Sequence, residues 1–87
     1  MIRGRILKFE ELYSNYGRYG MLYIQDEFNN KTYKVAISGS LMNHGRIKAD
    51  DVGFRCIVEL KNKLNTQGFE YAKSVSVMRY SEKQEEN

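Results

Sequence analysis

The 87-residue sequence contains no proline, no tryptophan, one cysteine and one histidine. A lone cysteine, Cys56, excludes an internal disulfide and a cysteine-rich zinc site. With His44 as the only histidine, neither a Cys–His nor a Ser–His–Asp arrangement has support in the sequence, and no second ligand stands at metal-binding spacing from it. We therefore expect a protein that is not an enzyme and that holds no metal or other cofactor.

Long apolar runs are also missing. No stretch approaches the ~20 apolar residues of a membrane-spanning helix, and the first residues lack the apolar region of a secretory signal. Eighty-seven residues leave room for one domain and no second core. We expect a cytoplasmic protein with no membrane partner. Because a core of this size buries a modest share of its surface, homodimerisation is a further expectation.

Positive charge is concentrated in residues 1–80, which carry 13 Lys and Arg against 8 Asp and Glu. Residues 81–87 carry one Lys against three Glu and have no apolar residue. We expect a folded domain over residues 1–80 followed by a disordered acidic tail. A basic domain favours a polyanionic partner, because binding releases counterions.

Apolar and polar residues alternate in five stretches, which predicts five β-strands. The expected strands cover residues 1–9, 20–25, 32–37, 54–64 and 69–80. In the first strand Leu7 and Phe9 fall on the face opposite Ile2, which predicts a twist or a bulge. Between strands three and four, one or two helical turns are predicted, capped by Ser40 and ending at Gly45.

The segment Tyr13–Tyr23 holds four tyrosines, one arginine and two glycines between two apolar strands. We expect an exposed loop here, where a tyrosine gains little from burial unless its ring covers something flat. Nucleobases stack on aromatic rings with about 1–3 kcal/mol per base, and a nearby arginine adds charge. The alternative is that some of these tyrosines close the end of a small barrel.

Three meandering strands, a short helical connection and a final two-stranded hairpin are the strand order of the OB-fold, a five-stranded Greek-key barrel. In this order and in its loop composition, the chain resembles the OB-fold single-stranded DNA-binding proteins, particularly the small type of bacteria and their phages. The expected fold class is therefore all-β, a closed five-stranded barrel with a short helix between strands three and four.

The resemblance implies a binding surface on the outer face of strands two and three, flanked by the loops that join strands one to two and four to five. The residues that it places there are Tyr16, Arg18, Tyr19, Met21, Tyr23, Lys34, Lys61, Lys63 and Asn65.

Other surface residues admit two interpretations. Arg3 and Arg5 either extend the basic surface or act as ordinary edge charges that discourage sheet-to-sheet association, and Tyr71 and Lys73 on strand five are equally open. Phe28 in the second hairpin either stacks on a base or folds back over the barrel. The adjacent carboxylates at positions 10–11 and 50–51 point to opposite faces if extended, so we expect solvated charges and no shared acid–base chemistry.

The expected function is non-enzymatic binding of single-stranded nucleic acid, DNA in preference to RNA, with little sequence preference, in replication, recombination or repair. Tyrosine and arginine are also favoured at protein interfaces. An OB or SH3-like interaction subunit of a larger complex is therefore an alternative. An RNA-binding module of the cold-shock or S1 kind is another.

Overall fold

A computed structural model describes residues 1–61 and 68–79. Its strands are β1 (Ile2–Ser14), β2 (Gly17–Asp26), β3 (Thr32–Ser38), β4 (Arg55–Leu60) and β5 (Glu70–Met78). Helix α1 (Gly39–Gly45) and a 3₁₀ turn (Ala49–Asp51) lie between β3 and β4. The predicted acidic tail, Lys63 and Asn65 lie outside the described residues.

The strands close into a barrel in the order β1, β2, β3, β5, β4, and β4 pairs back onto β1. Neighbouring strands are antiparallel except β3 and β5, which are parallel. Closure removes the long free edges that an open sheet would expose. The predicted all-β, OB-like barrel with one short helix between the third and fourth strands is confirmed.

Alternation along the strands fills the barrel with one set of apolar side chains. The buried core consists of Ile2, Ile6, Leu22, Ile24, Val35, Ile37, Met42, Ile47, Cys56, Val58 and Ala72. Tyr33, Val75 and Val77 pack against it, as predicted for inward positions. Burial raises the pKa of the Cys56 thiol to about 12, so this cysteine is an unreactive packing group.

Helix α1 contributes Met42 to the core, and its N-cap is Ser38, two residues earlier in the chain than the predicted Ser40. The Ser38 hydroxyl accepts the N–H of Leu41 at 3.2 Å, because β3 delivers Ser38 in the extended conformation that a capping residue needs. Ser40 instead lies inside the first turn. The helix ends at Gly45 as predicted, and Arg46 takes the left-handed conformation that follows it. No helix among the described residues is long and apolar enough to cross a membrane.

Strands β1 and β2 are longer than predicted, and the expected tyrosine loop does not exist. Their pairing continues until Ser14 faces Gly17, which leaves a turn of two residues. Gly17 has φ +115, and the Ser14 hydroxyl accepts the N–H of Tyr16 at 3.1 Å within this turn. Tyrosine is a favourable strand residue, so a tyrosine-rich segment extends the hairpin as readily as it would form a loop.

A bulge in β1 sets which residues face outward. The register with β2 shifts between Ile6 and Lys8, so Leu7 is the extra residue of the predicted bulge. Ile6 and Phe9 consequently both turn toward the core, while Lys8 turns outward opposite Tyr23. If Leu7 were paired regularly instead of bulged, every side chain of β1 after this point would lie on the other face.

Asp51 joins the end of β5 to the connection after α1. Its carboxylate is 1% exposed and accepts two hydrogen bonds from the Arg79 guanidinium, both at 2.8 Å. The N–H of Lys48 donates a third at 3.1 Å. Arg79 also donates to the carbonyls of Gly45 and Arg46, which end α1. One guanidinium thus ties the last strand, the helix end and the 3₁₀ turn together.

The burial of Asp51 corrects the prediction that it is a solvated charge like Asp50. Burial raises the pKa of Asp51, but hydrogen bonds from Arg79 and from the Lys48 backbone, with the charges of both residues, outweigh it and lower the pKa overall. Local sequence patterns do not reveal this arrangement, because Arg79, the cationic partner of Asp51, lies 28 positions away along the chain.

Gly4 is expected to be irreplaceable in the barrel wall. It faces inward between β2 and β4, and a Cβ there would overlap the backbone carbonyl of Gln25. Because paired backbone cannot move aside as a side chain can, Gly4→Ala should lower the free energy of unfolding by more than about 3 kcal/mol in urea titrations. Gly45→Ala is the control. Its methyl would come close to the movable side chain of Ile47 and meet the Val75 carbonyl at an ordinary 3.8 Å, so stability should change by less than about 1 kcal/mol. Equal stability of the two variants would contradict this account.

The lowered pKa of Asp51 predicts a loss of stability in acid. A carboxylate whose pKa is lower in the folded than in the unfolded state stabilises the fold above the unfolded pKa, and this contribution disappears as pH falls through the folded pKa. Asp51→Asn should therefore destabilise at neutral pH by about 1–3 kcal/mol and reduce the dependence of stability on acid pH. Glu59→Gln changes the net charge equally at an exposed carboxylate whose pair with Lys73 is solvated, and it should change both properties by less than about 1 kcal/mol. Urea titrations at neutral and acid pH measure the difference, and parallel behaviour of the two variants would refute the assignment.

Candidate nucleic-acid interface

Cross-strand neighbours form three rows on the outer face of β1, β2 and β3. Residues directly opposite each other on paired strands share a face. The register gives the rows as Lys8, Tyr23 and Lys34; Glu10, Met21 and Ala36; and Leu12, Tyr19 and Ser38. The middle row continues onto β5, where Tyr71 lies beside Ala36. We refer to these three rows with Tyr71 as the tyrosine face.

Tyr23 is the centre of the tyrosine face. Its ring lies between two ammonium groups, with Lys8 Nζ 5.3 Å and Lys34 Nζ 5.8 Å from the ring centroid. Both distances are within the range of cation–π attraction. The Tyr23 hydroxyl donates to Glu10 Oε1 at 2.8 Å, and this hydrogen bond, burial and the carboxylate charge together raise the pKa of Tyr23. The ring is thus neutral, half-exposed and fixed at its outer end.

Met21 and Ala36 form the floor of the tyrosine face. They are paired across β2 and β3, and Met21 is only 4% exposed although it does not belong to the barrel core. Side chains of the outer face must therefore cover it, and Tyr19 and Tyr23 are its same-face neighbours on β2. The prediction that Met21 contacts a ligand stays a prediction, and the structure leaves only 4% of this residue exposed.

Further aromatic rings extend the face toward β5. Tyr71 and Phe69 are half-buried and meet edge to face, with ring centroids 5.3 Å apart at 65°. The backbone N–H of Lys61 donates to the Tyr71 carbonyl at 2.8 Å, which places exposed Lys61 beside this part of the face. Lys73 does not join this part of the face, because its Nζ pairs with Glu59 Oε1 at 3.7 Å across β4 and β5.

Two residues of the predicted loop do not join the tyrosine face. Arg18 forms an ion pair with Glu11 and donates to Asn43 Oδ1 at 3.2 Å, so it turns toward helix α1 with its charge neutralised. It shares a face with Tyr13, opposite to that of Tyr19. Tyr16 is fully exposed at the tip of the β1–β2 hairpin. Strand alternation separates side chains that a flexible loop could have brought together.

Arg3 and Arg5 lie outward on β1, before the bulge. Arg5 donates to the Gly53 carbonyl at 2.8 Å and faces Arg55 across the β1–β4 pair. It lines a polar recess of about 220 Å³, in which Arg55 forms an ion pair with Glu27 at 2.6 Å. Arg5 therefore has a structural role at this recess, while Arg3 is exposed.

Phe28 is held outward, not folded over the barrel. It is 78% exposed at the tip of the β2–β3 turn. Asp26 fixes this turn, because its buried carboxylate accepts the N–H groups of Phe28 at 2.8 Å and Asn29 at 3.1 Å. The ring is therefore presented to solvent on an ordered turn, beyond one end of β2.

The sequence did not single out Lys8, Glu10 or Phe69 for this surface. The predicted bulge could have pointed to Lys8, because the bulge turns this lysine outward opposite Tyr23. Glu10 was expected to be solvated, yet it accepts the Tyr23 hydroxyl. Tyr71 was left open and is brought onto the face through the parallel pairing of β3 with β5, a contact between distant strands that periodicity does not reveal.

Metal chemistry finds no support in the part of the chain that is described, where no group of three or more His, Cys, Asp or Glu could hold an ion. No protein-family model matches the chain, and no curated protein or solved structure matches it either. The chemistry of the tyrosine face is therefore the basis for assigning a function.

Proposed function

We propose that this protein binds single-stranded nucleic acid, DNA in preference to RNA, without catalysing a reaction. Bases would stack on Tyr23, Tyr19 and Tyr71, and phosphates would contact the lysines beside them. Such a protein would protect or extend unpaired strands during replication, recombination or repair.

The arrangement of Tyr23 between Lys8 and Lys34 carries this proposal. A half-exposed ring supplies a flat apolar surface, and the two ammonium groups within 6 Å of its centroid supply positive charge on both sides. Single-stranded nucleic acid presents the complementary pair of features, flat bases and anionic phosphates, at every nucleotide. A duplex hides its base faces in the stack, so rings on a sheet surface select the unpaired form.

The neighbouring lysine charges remain open to a ligand. Lys34 makes no ion pair within residues 1–61 and 68–79, and Lys8 reaches only Glu10, at 3.9 Å with 62% of the lysine side chain exposed. Such an exposed pair contributes little stability and leaves the cation free to contact phosphate. Because every base has a π-face, stacking on the rings discriminates little among sequences.

The direct test is binding of fluorescein-labelled oligonucleotides, followed by anisotropy at low and moderate salt. We expect single-stranded DNA to bind more tightly than duplex DNA or RNA of the same sequence, and its affinity to fall with salt because counterions are released. Tighter binding of RNA would indicate the cold-shock or S1-like alternative. No binding of any strand at low salt would overturn the proposal and favour a protein-interaction role.

Variants on the tyrosine face should separate stacking from phosphate contact. Tyr19→Ala is expected to weaken binding by about 1–3 kcal/mol, and Lys34→Ala to reduce the slope of log affinity against log salt by about one unit. The matched controls are Tyr13→Ala, exposed on the opposite face of the hairpin, and Lys48→Ala, exposed outside the strands. Both should bind as the wild type does. Equal losses in variants and controls would place the binding surface elsewhere.

A further inference from the structure

We propose that Glu10 gives the tyrosine face a preference for guanine at the base that stacks on Tyr23. This inference rests on the proposed function and refines it. Stacking accepts every base, whereas a carboxylate at the rim of the stacking ring accepts hydrogen bonds only from base edges that carry donors.

Glu10 is held at the outer end of the Tyr23 ring. Its Oε1 accepts the Tyr23 hydroxyl at 2.8 Å, and the side chain remains 37% exposed. Within the described residues, no group donates to Oε2. A carboxylate has about four lone-pair sites, so Glu10 keeps acceptor capacity on the solvent side. The same face of β1 carries both this acceptor and Lys8, two residues away.

The edges of the four bases differ in what they offer to such an acceptor. Guanine presents two adjacent donors, the N1–H and the 2-amino group, which match the two oxygens of a carboxylate. Cytosine and adenine present one amino group beside an acceptor nitrogen, and thymine presents one N–H between two carbonyl oxygens, which a carboxylate repels. Only an unpaired base exposes this edge, because base pairing covers it in a duplex.

A carboxylate among phosphate-binding lysines opposes overall affinity for a polyanion. Glu10 lies 3.9 Å from Lys8 Nζ and so partly offsets its charge. If Glu10 contributes favourably to binding, it does so through contacts with bases, because a carboxylate repels phosphates. Glu11, the next residue, has no such opportunity, because it forms an ion pair with Arg18 on the other face of the hairpin.

The experiment compares strands in which thymine alternates with a test base, measured by anisotropy in lithium salts, which disfavour guanine quadruplexes. The test bases are guanine, hypoxanthine, adenine and thymine. Hypoxanthine stacks like guanine but lacks the 2-amino donor. With the wild-type protein, we expect the guanine strand to bind about tenfold more tightly than the hypoxanthine strand, the discrimination typical of one good bidentate contact.

Glu10→Gln should bring the affinities for the guanine and hypoxanthine strands to near equality. The readout is the ratio of these two affinities, because the loss of the Tyr23–Glu10 hydrogen bond affects both strands alike. Glu11→Gln makes the same change of charge on the opposite face and should keep the guanine preference. Circular dichroism establishes that both variants are folded, and the base comparison on the wild-type protein requires no variant at all.

Equal affinity of the wild-type protein for all test strands would overturn the guanine preference, reduce Glu10 to a residue that orients Tyr23, and leave the proposed function standing. A guanine preference that survives in Glu10→Gln would assign it to another residue and overturn the role of Glu10. Failure of every strand to bind would overturn both the inference and the proposed function.

Discussion

The pairing register of β1 with β2 is the constraint on which the rest of the structure depends. Leu7 occupies the bulge, and the register beyond it continues to the hairpin tip. This one extra residue lets Ile6 and Phe9 both face the core while Lys8 faces Tyr23 on the outside. Since a slip of one residue exchanges the two faces of a strand, the core and the tyrosine face are specified by the same hydrogen bonds.

Charge is distributed unevenly around this barrel. Four cations are paired with carboxylates away from the tyrosine face, namely Arg18 with Glu11, Arg55 with Glu27, Lys73 with Glu59 and Arg79 with Asp51. Lys34 has no comparable partner among the described residues, and Lys8 has only a distant one. Positive charge that no close carboxylate cancels therefore lies on both sides of Tyr23.

The fold followed from the sequence because binary alternation decides which side of each strand is buried. The inward positions of β3 and β4, such as Val35 and Cys56, were read correctly for this reason. Two kinds of feature could not be predicted from alternation along the sequence. The length of the β1–β2 hairpin depends on turn geometry at Gly17, and the burial of Asp51 depends on Arg79, a partner distant in the chain. Outward positions on the predicted strands, such as Tyr23 and Lys34, were predictable from alternation, whereas the outward position of Lys8 depends on the register shift and was not.

The composition of the tyrosine face also bears on what kind of partner fits it. Tyrosine is common both at protein interfaces and on nucleic-acid surfaces, but lysine is depleted from the buried centre of protein interfaces, because a desolvated ammonium needs a carboxylate positioned for it. Here the central ring has an exposed lysine on each side. A protein partner would have to cover both charges, whereas a nucleic acid leaves them hydrated and neutralises them with phosphates. Glu10 holds Tyr23 and two lysines lie near its ring, so these side chains are already partly ordered and a ligand of this face would cost less side-chain freedom.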